Sequence, residues 1–424
     1  MKIRSSDLLL IGATAAISIA ATIFGKNFIA GEKKIKRRIR HLYGVHDPQF
    51  ERAMSQLLGP PILDGNKVEA LHNGEAIFPA MLAAIESAQR TITFETFIYW
   101  DGLISQKFAE ALSRKARQGV RVHVLIDGVG CNCLDAASLR QMREAGVELE
   151  IYHIANLARA NHRTHRKLLV IDGKLGFTGG VGIADEWDGD ARGPDEWRDS
   201  HYRVEGPVVA QMQAAFLDNW MKTRAVVLHG DDYFPHLEKK GSHRCQMFKS
   251  SPMEGSESAR LMFNLSITSA RESVKIGNAY FVPDDLTTAA LIEAAARGVR
   301  VTILVPGSQI DSQLVHHASR NRWGELLRHG IKVYEFQPSM YHCKCMIIDD
   351  LWTSVGSANF DNRSFRLNDE ANLSVIDEGF ARDASAKFDE DLARSREFIL
   401  EDWESRDLAT KASDWVVSLT RSQL

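Results

Sequence analysis

The chain predicts an α/β fold made of two duplicated halves, with a hydrophobic helix at its N-terminus. Three observations carry this. Helical and strand-like periods alternate along the sequence. The stretch "ARQGVRVHVLIDG" at 116–128 returns as "AARGVRVTILVPG" at 295–307. A pattern of His, any residue, Lys, four residues and Asp occurs at His165–Asp172 and again at His342–Asp349. Gly119 and Gly298 are separated by nearly the same offset as the two histidines, which is what a duplication produces.

The N-terminus departs from an otherwise soluble composition. Leu8–Phe24 carries no charge, and six basic residues follow within Glu32–Arg40. A tilted helix from this segment is expected to anchor the chain in a membrane, with the body on the cytoplasmic side that basic residues prefer. Two other readings stay open. Ser18-Ile19-Ala20 suits signal-peptidase cleavage and a periplasmic body. The segment also suits the membrane surface, with its basic run on anionic headgroups.

In the first half, Ile77–Ala88 has helical spacing, "RTITFETFIYW" reads as a strand, and Leu103–Gln118 reads as a helix stopped by Gly119. "VRVHVLIDG" is then a buried strand. The second half repeats the order: helix at Leu261–Ala270, strand "SVKIGNAYFVP", helix at Thr287–Arg297 stopped by Gly298, strand "VRVTILVPG". The alternation argues for a largely parallel α/β layer in each half. Gly146-Val147 and Gly330-Ile331 each open the strand that leads towards the signature. Residues 228–258, rich in Gly, His, Pro, Ser and charge, read as a linker. The expected units are 1–60 (anchor and basic segment), 61–227 (first half), 228–258 (linker), 259–403 (second half) and 404–424 (tail). The tail contains a short amphipathic pattern, "ASDWVVSLTRS", that suits either a membrane surface or a packed terminal helix.

Of the 424 residues, 44% are hydrophobic and 25% charged, and the net charge is −3. A nucleic-acid binder more often carries a basic excess, so no nucleic-acid partner is expected. Five cysteines, Cys131, Cys133, Cys245, Cys343 and Cys345, do not form a disulfide framework. Two C-x-C pairs raise the question of zinc, but structural zinc sites favour C-x2–4-C spacing. Buried thiols on strands are the expectation, and no metal.

Strand alternation places His165 and Lys167 on one face of "HRKLLVID" and Arg166 on the other. His342 and Lys344 likewise share a face, with Cys343 and Cys345 turned away. Asp172 and Asp349 complete each signature and are counted with its catalytic residues; at opposite parity, they are expected to end the strand and brace the site from behind. Two such pairs facing each other suffice for phosphoryl transfer. One neutral imidazole attacks phosphorus, the other protonates the leaving oxygen, and two ammonium groups stabilise the developing charge. No metal or other cofactor is then needed. A small-residue turn begins seven residues past each Asp, "GGVG" at Gly179–Gly182 and "GSAN" at Gly356–Asn359. In Gly179 and Gly180 such a turn lets backbone N–H groups approach a phosphate. "LNDEAN" supplies Glu370 and "WRDSH" supplies Asp199, acids suited to fixing each imidazole tautomer. His153, His162 and His201 read as structural.

These residues resemble the phospholipase D superfamily and, within it, the bacterial cardiolipin synthases. "LHNGEAIFPAMLAAIESA", "ETFIY", "NAYFVP", "WRDSHYRVEGPVV" and "GSANFDNRSFRLNDEANL" extend the likeness over Asn66–Trp403. The resemblance implies two duplicated halves with mixed sheets flanked by helices, related by a pseudo-twofold axis, and both signatures in one cleft. It implies a metal-free phosphohistidine intermediate, with His165 as nucleophile and His342 as acid and base. Lys167 and Lys344 would grip the phosphate, aided by Ser357 and Asn359. One departure stands out: the family's first turn often reads GGxN, and here Gly182 replaces the Asn. The first half then either lacks an amide or takes a substitute from the inserted "ADEWDGDARGPDEW".

The activity implied is a phosphatidyltransferase that makes cardiolipin from two phosphatidylglycerol molecules, or from one and another lipid alcohol. Its partners are phospholipid substrates and an anionic membrane. A lipid hydrolase would use the same residues with water as acceptor. A nucleic-acid phosphodiesterase or a membrane scaffold with a dead site are more distant rivals.

Overall fold

The computed structural model describes residues 37–131, 136–152, 162–251 and 258–418, together with Thr14, Ala15, Ser18 and Thr22. The expected anchor Leu8–Phe24 lies outside the described residues, apart from those four positions. Among the described residues no helix is long and apolar enough to cross a membrane.

Among the described residues, sixteen strands form one mixed sheet. In chain order they are β1 (Leu63–His72), β2 (Thr91–Thr96), β3 (Arg121–Asp127), β4 (Glu148–Tyr152), β5 (Arg163–Thr164), β6 (Leu168–Ile171), β7 (Leu175–Gly179) and β8 (Ser200–Glu205). There follow β9 (His243–Ser250), β10 (Ser273–Asn278), β11 (Arg300–Pro306), β12 (Lys332–Phe336), β13 (Lys344–Ile348), β14 (Trp352–Gly356), β15 (Asn368–Ile376) and β16 (Ser395–Phe398). Their spatial order is β16-β12-β11-β10-β13-β14-β15-β9-β1-β8-β7-β6-β2-β3-β4, with β5 paired to β15. Inside the edge strand β16 the order mirrors itself about the β9–β1 junction. Each half reads outward from that junction through the same seven positions, so the duplication is also a pseudo-twofold arrangement.

Within each half, among the described residues, the parallel pairs lie in one run of three strands, β2-β3-β4 and β10-β11-β12. The signature strands β6 and β13 pair antiparallel with β2 and β10. The largely parallel layer read from the alternation thus gives way to the mixed sheet that the resemblance implied, because each signature strand returns as part of an antiparallel meander. The crossover helices obey the sequence pattern. Helix Leu103–Arg117 buries Ile104, Phe108, Ala111 and Leu112, a stripe at helical spacing. Gly119 and Gly298 follow their helices at φ +90° and +91°, a conformation that favours glycine.

Three large apolar cores result. One fills the first half, one the second, and a third joins them, with Val68, Leu168, Val170 and Val204 meeting Met247, Val355, Leu373 and Val375. This shared core makes the halves one packed body. Two segment readings change accordingly. The expected linker 228–258 contains β9, the counterpart of β1, whose Cys245 and Met247 enter the shared core. The expected anchor segment 1–60 contains the helix Pro48–Leu58, whose Phe50 and Met54 belong to the core of the second half. Phe50 meets Trp352 edge-on at 6.1 Å. The tail helix Leu408–Ser418 packs on helix Gln313–Arg328, where His317 Nδ1 and Asp414 Oδ1 lie 2.7 Å apart.

The aspartates that end each signature show the repeat most closely. Asp172 and Asp349 both have φ +51°. The Asp172 carboxylate accepts N–H bonds from Gln89, Arg90 and Thr91 at 2.9, 2.7 and 2.9 Å. That of Asp349 accepts from Arg271, Glu272 and Ser273, each at 2.8 Å. They do end the strand, but both carboxylates tie down the entrance to β2 or β10 and make no bond to the histidines or lysines. A role in the reaction is therefore replaced by one in the frame. Asp172→Ala is expected to lower stability by about 2–4 kcal/mol, since three donors lose their acceptor and Ala is strained at positive φ. Asp172→Asn, which tolerates that φ, should cost about half as much. Chemical denaturation checks the order, and turnover per folded molecule should stay within a few-fold of the parent protein.

Candidate active site

Each signature enters the site along the opposite half. β5 runs parallel to the start of β15, and His165 N–H donates to Asp369 O at 2.9 Å. Tyr341 bridges to Arg198, and His342 N–H donates to Arg198 O at 2.7 Å. The next residue along each track is an acid. His165 Nδ1 lies 3.0 Å from both oxygens of Glu370, and His342 Nδ1 lies 2.7 Å from Asp199 Oδ2. Each imidazole is thus backed by a carboxylate from the other half. All four groups are buried.

The flanking residues follow strand parity. Lys167 and Lys344 each donate to the carbonyl oxygen of the histidine two places before. Lys344 Nζ also lies 2.9 and 3.0 Å from the ring nitrogens of His342. Arg166 faces away and bonds Glu370 O at 3.3 Å and Ala215 O at 2.7 Å, a cross-half tie. Cys343 and Cys345 line a cavity of about 570 Å³ on the other face of the sheet. The reacting nitrogens open instead into a smaller cleft of about 260 Å³, lined by His165, Lys167 and His342. Among the described residues no group of three His, Cys, Asp or Glu side chains is placed to hold a metal, and Cys133 lies outside them. His153 also lies outside. His201 is buried on β8 and makes no hydrogen bond among the described residues.

Burial sets the charge states. It lowers His165 to about 4, although Glu370 pulls the other way and Lys167 adds to the fall. It lowers His342 to about 3, with Lys344 adding to the fall and Asp199 opposing it. Lys167 drops to about 7, chiefly through burial, and Lys344 is lowered for the same reason. Burial alone would raise Asp199 and Glu370, but the facing imidazoles and lysines hold both below the ordinary carboxylate range. Below about pH 7, where Lys167 keeps its proton, neutral imidazoles, the two lysines and the two carboxylates leave the site close to neutrality. A phosphate monoanion adds one negative charge, which favours a proton on one imidazole.

The turns after the signatures act differently from expectation. Gly180 N–H donates to Ser200 O at 3.2 Å, and Ser357 N–H to Ala371 O at 3.1 Å. Ala358 and Asn359 N–H groups donate to Asn372 Oδ1 and Ser364 Oγ at 3.1 and 3.0 Å. These N–H groups are already engaged, so the turns do not present them to a phosphate. Gly179 and Gly180 serve by having no side chain: a Cβ at Gly180 would collide with the Asp199 carboxylate, and one at Gly179 with Ser200 O. Ser357 Oγ donates to Glu370 Oε2 at 2.5 Å and Ser364 Oγ to Oε1 at 2.8 Å. Ser357 therefore orients the acid and does not face the phosphate. Asn359 is buried, and its Oδ1 has no hydrogen-bond partner among the described residues.

The inserted loop answers the missing Asn. A Cβ at Gly182 would stand 2.8 Å from Ile98 Cβ and 3.1 Å from the Trp187 ring, so the position is closed to a side chain. Trp187 donates Nε1–H to Asp199 Oδ2 at 2.9 Å, the service that the Ser357 and Ser364 hydroxyls perform for Glu370. Trp187 and Trp197 also pack on the His342 ring, at 5.2 and 5.5 Å. On the other side Phe97 meets His165 edge-on at 5.0 Å. Sequence reasoning missed these aromatics as well as Tyr280 and Asp311, which line the same cleft. The two tryptophans ten residues apart in the insertion were the available signal.

The family model described as "Cardiolipin synthase, PLD-like domain" matches residues 81–187 and 265–392. Cardiolipin synthase A of Pseudomonas putida is 38% identical over 357 residues, covering 83% of this chain and 74% of that protein. The protein of the same name from Pseudomonas aeruginosa is 36% identical over 359 residues, covering 83% and 72%. Among solved structures, phosphatidylserine synthase from Haemophilus influenzae shares the fold with a TM-score of 0.68, at 15% identity, over 89% of this chain and 100% of that one.

Proposed function

Since the chain belongs to the phospholipase D superfamily as a cardiolipin synthase-like member, we propose that it makes cardiolipin and glycerol from two phosphatidylglycerol molecules through a phosphohistidine at His165. The observation that carries this is the crossed pairing: two buried His–Lys units in one cleft, each imidazole oriented by a carboxylate of the opposite half. Glu370 holds the His165 proton on Nδ1 and leaves Nε2 free to attack phosphorus. The P–N bond forms as the P–O bond to glycerol breaks, and His342, protonated when the anionic phosphate binds, gives its proton to the departing oxygen. A hydroxyl of the second phosphatidylglycerol then attacks phosphorus and passes its proton to His342. The P–N bond breaks and His165 returns neutral. Lys167 and Lys344 stabilise the non-bridging oxygens throughout, and Asn359 contributes its carboxamide.

One wall of the cleft is apolar, formed by Phe97, Ile98, Trp100 and Val129. It suits the diacylglycerol portion of a lipid, whereas a nucleic-acid strand would call for a basic groove. Val129 is 52% exposed, so this apolar wall reaches the protein surface. The basic run that ends at Arg40 would add attraction to anionic lipid.

The test is to incubate the purified protein with phosphatidylglycerol vesicles in chelator and identify the products by mass spectrometry. Cardiolipin with free glycerol is expected; phosphatidic acid without cardiolipin would replace the transferase by a hydrolase. The same assay run against pH has a predicted shape. kcat/KM should fall below about pH 4, where His165 becomes protonated, and above about pH 7, where Lys167 loses its proton. The bound phosphate favours cationic neighbours, so both limbs should move to higher pH in kcat.

A further inference from the structure

The cleft is built from equivalent elements, yet its two walls differ. Ile98 and Tyr280 occupy corresponding places, each two residues beyond the strand beside its signature, β2 or β10. Both line the cleft. On the His165 side the wall is Phe97, Ile98, Trp100 and Val129. On the His342 side it is Tyr280 and Asp311, with the Tyr280 hydroxyl donating to Asp311 Oδ2 at 2.5 Å. Tyr280 is fixed beside His342: the preceding residue, Ala279, donates its N–H to Cys343 O at 3.0 Å, between His342 and Lys344. The charge of Asp311 is felt at Lys344. Asp311 itself is exposed; its carboxylate also accepts from the backbone N–H groups of Asp311 and Ser312, and the acceptor sites that remain face a ligand.

The chemistry says which part of the substrate meets this wall. If His165 attacks phosphorus, the leaving oxygen departs in line on the opposite side, towards His342. The acceptor oxygen in the second step enters by the same path. In the proposed reaction both oxygens belong to a glycerol headgroup, one leaving and one arriving. A single polar subsite therefore serves both steps. A carboxylate with a phenol hydroxyl suits vicinal hydroxyls, since it accepts from one and bridges to the next. The hydroxyl vicinal to the reacting oxygen is common to a departing glycerol and an arriving phosphatidylglycerol, and a cationic headgroup there would crowd Lys344 with like charge.

We propose that Tyr280 and Asp311 form the headgroup subsite, which selects a vicinal diol as both leaving group and acceptor. This rests on the phosphatidyltransferase reading for its acceptor half; the donor half holds equally for a hydrolase. The acceptor experiment supplies deuterated glycerol and ethanol together at equal concentration, with phosphatidylglycerol as donor, and measures the ratio of deuterated phosphatidylglycerol to phosphatidylethanol. The donor experiment measures glycerol release from phosphatidylglycerol against ethanol release from phosphatidylethanol. We expect the parent protein to favour the diol in both. Asp311→Leu should cut each preference about tenfold, and Tyr280→Phe should cut it by a smaller factor in the same direction. Each ratio is internal to one sample, so a partly misfolded variant does not distort it. Unchanged ratios in both variants overturn the subsite. So does a parent protein that prefers ethanolamine to glycerol and loses that preference in Asp311→Asn, which would make the wall a cation site. If no alcohol is transferred by the parent protein, the transferase reading fails; a donor preference that Asp311→Leu still abolishes then upholds the subsite, and one that survives overturns it.

Discussion

His165→Ala should reduce phosphatidyl transfer by on the order of 10⁴-fold or more, with no phosphohistidine trapped on acid quench. The size follows from the role: without the nucleophile, neither of the two steps exists, and the remaining lysines only bind the phosphate. His342→Ala separates the histidines. With phosphatidylglycerol it should be nearly as inactive, because glycerol is a poor leaving group without a proton. With a nitrophenyl phosphodiester, whose leaving group needs no proton, it should still release one equivalent of nitrophenolate and then stall as the phosphohistidine. If His165→Ala gives that burst and His342→Ala does not, the two roles are reversed. The pseudo-twofold site makes this a real contest, since the two imidazoles have like partners and like burial. The walls break the tie, because the apolar side suits a retained diacylglycerol and the polar side suits a departing headgroup.

The two carboxylates should show opposite kinetic signatures although each costs roughly 10²–10⁴-fold. Gln at 370 can donate to His165 Nδ1, which moves the ring proton to Nε2 and removes the attacking lone pair. Glu370→Gln should therefore fail to form the phosphohistidine. Asn at 199 likewise favours the Nε2–H tautomer of His342 and removes the charge that supports its imidazolium, so glycerol is no longer protonated as it leaves. Asp199→Asn should therefore form the intermediate from the nitrophenyl phosphodiester, whose leaving group takes no proton, and accumulate it, because Nε2 then has no lone pair for the incoming hydroxyl. Rapid quench with radiolabelled donor reads both. Equal intermediate levels in the two variants would sink the crossed assignment of acids to histidines. Glu370 also accepts bonds from Ser364 and Asn368, at 2.8 and 3.2 Å, so thermal melts should accompany its variant.

The parts of this site carried by local spacing were legible in the sequence. His165, Lys167, His342 and Lys344 are fixed by a two-residue alternation that any strand would impose, and the duplication was visible in Gly119 and Gly298. Asp199 and Glu370 were visible as candidate acids, but their partners were not. The matching acid lies 205 residues from His165 and 143 from His342, and nothing local distinguishes the crossed pairing from the uncrossed one. The strand β9 was hidden by composition: "HRCQMFKS" alternates polar and apolar residues as a strand should, but sits among Gly, Pro and charge. Gly179 and Gly180 were seen for the right reason, the absence of a side chain, and given the wrong beneficiary. Gly180 makes room for the Asp199 carboxylate and Gly179 for the backbone at Ser200 and His201. The Asp of each signature was read as part of the chemistry because it recurs with the His and Lys. It recurs because both halves must tie the same strand entrance.

The crossed pairing also bears on how the chain is made. A ribosome delivers the first half complete with His165 and Lys167 long before Glu370 has been synthesised, and Asp199 waits for His342 in the same way. During that interval the nascent chain holds lipid-cleaving groups with no oriented imidazole among them. Neither histidine is armed until the last strands of the second half have folded onto the first. The timing confines the oriented pairs to the finished molecule. It also means that two separately expressed halves should regain activity only when mixed, never singly.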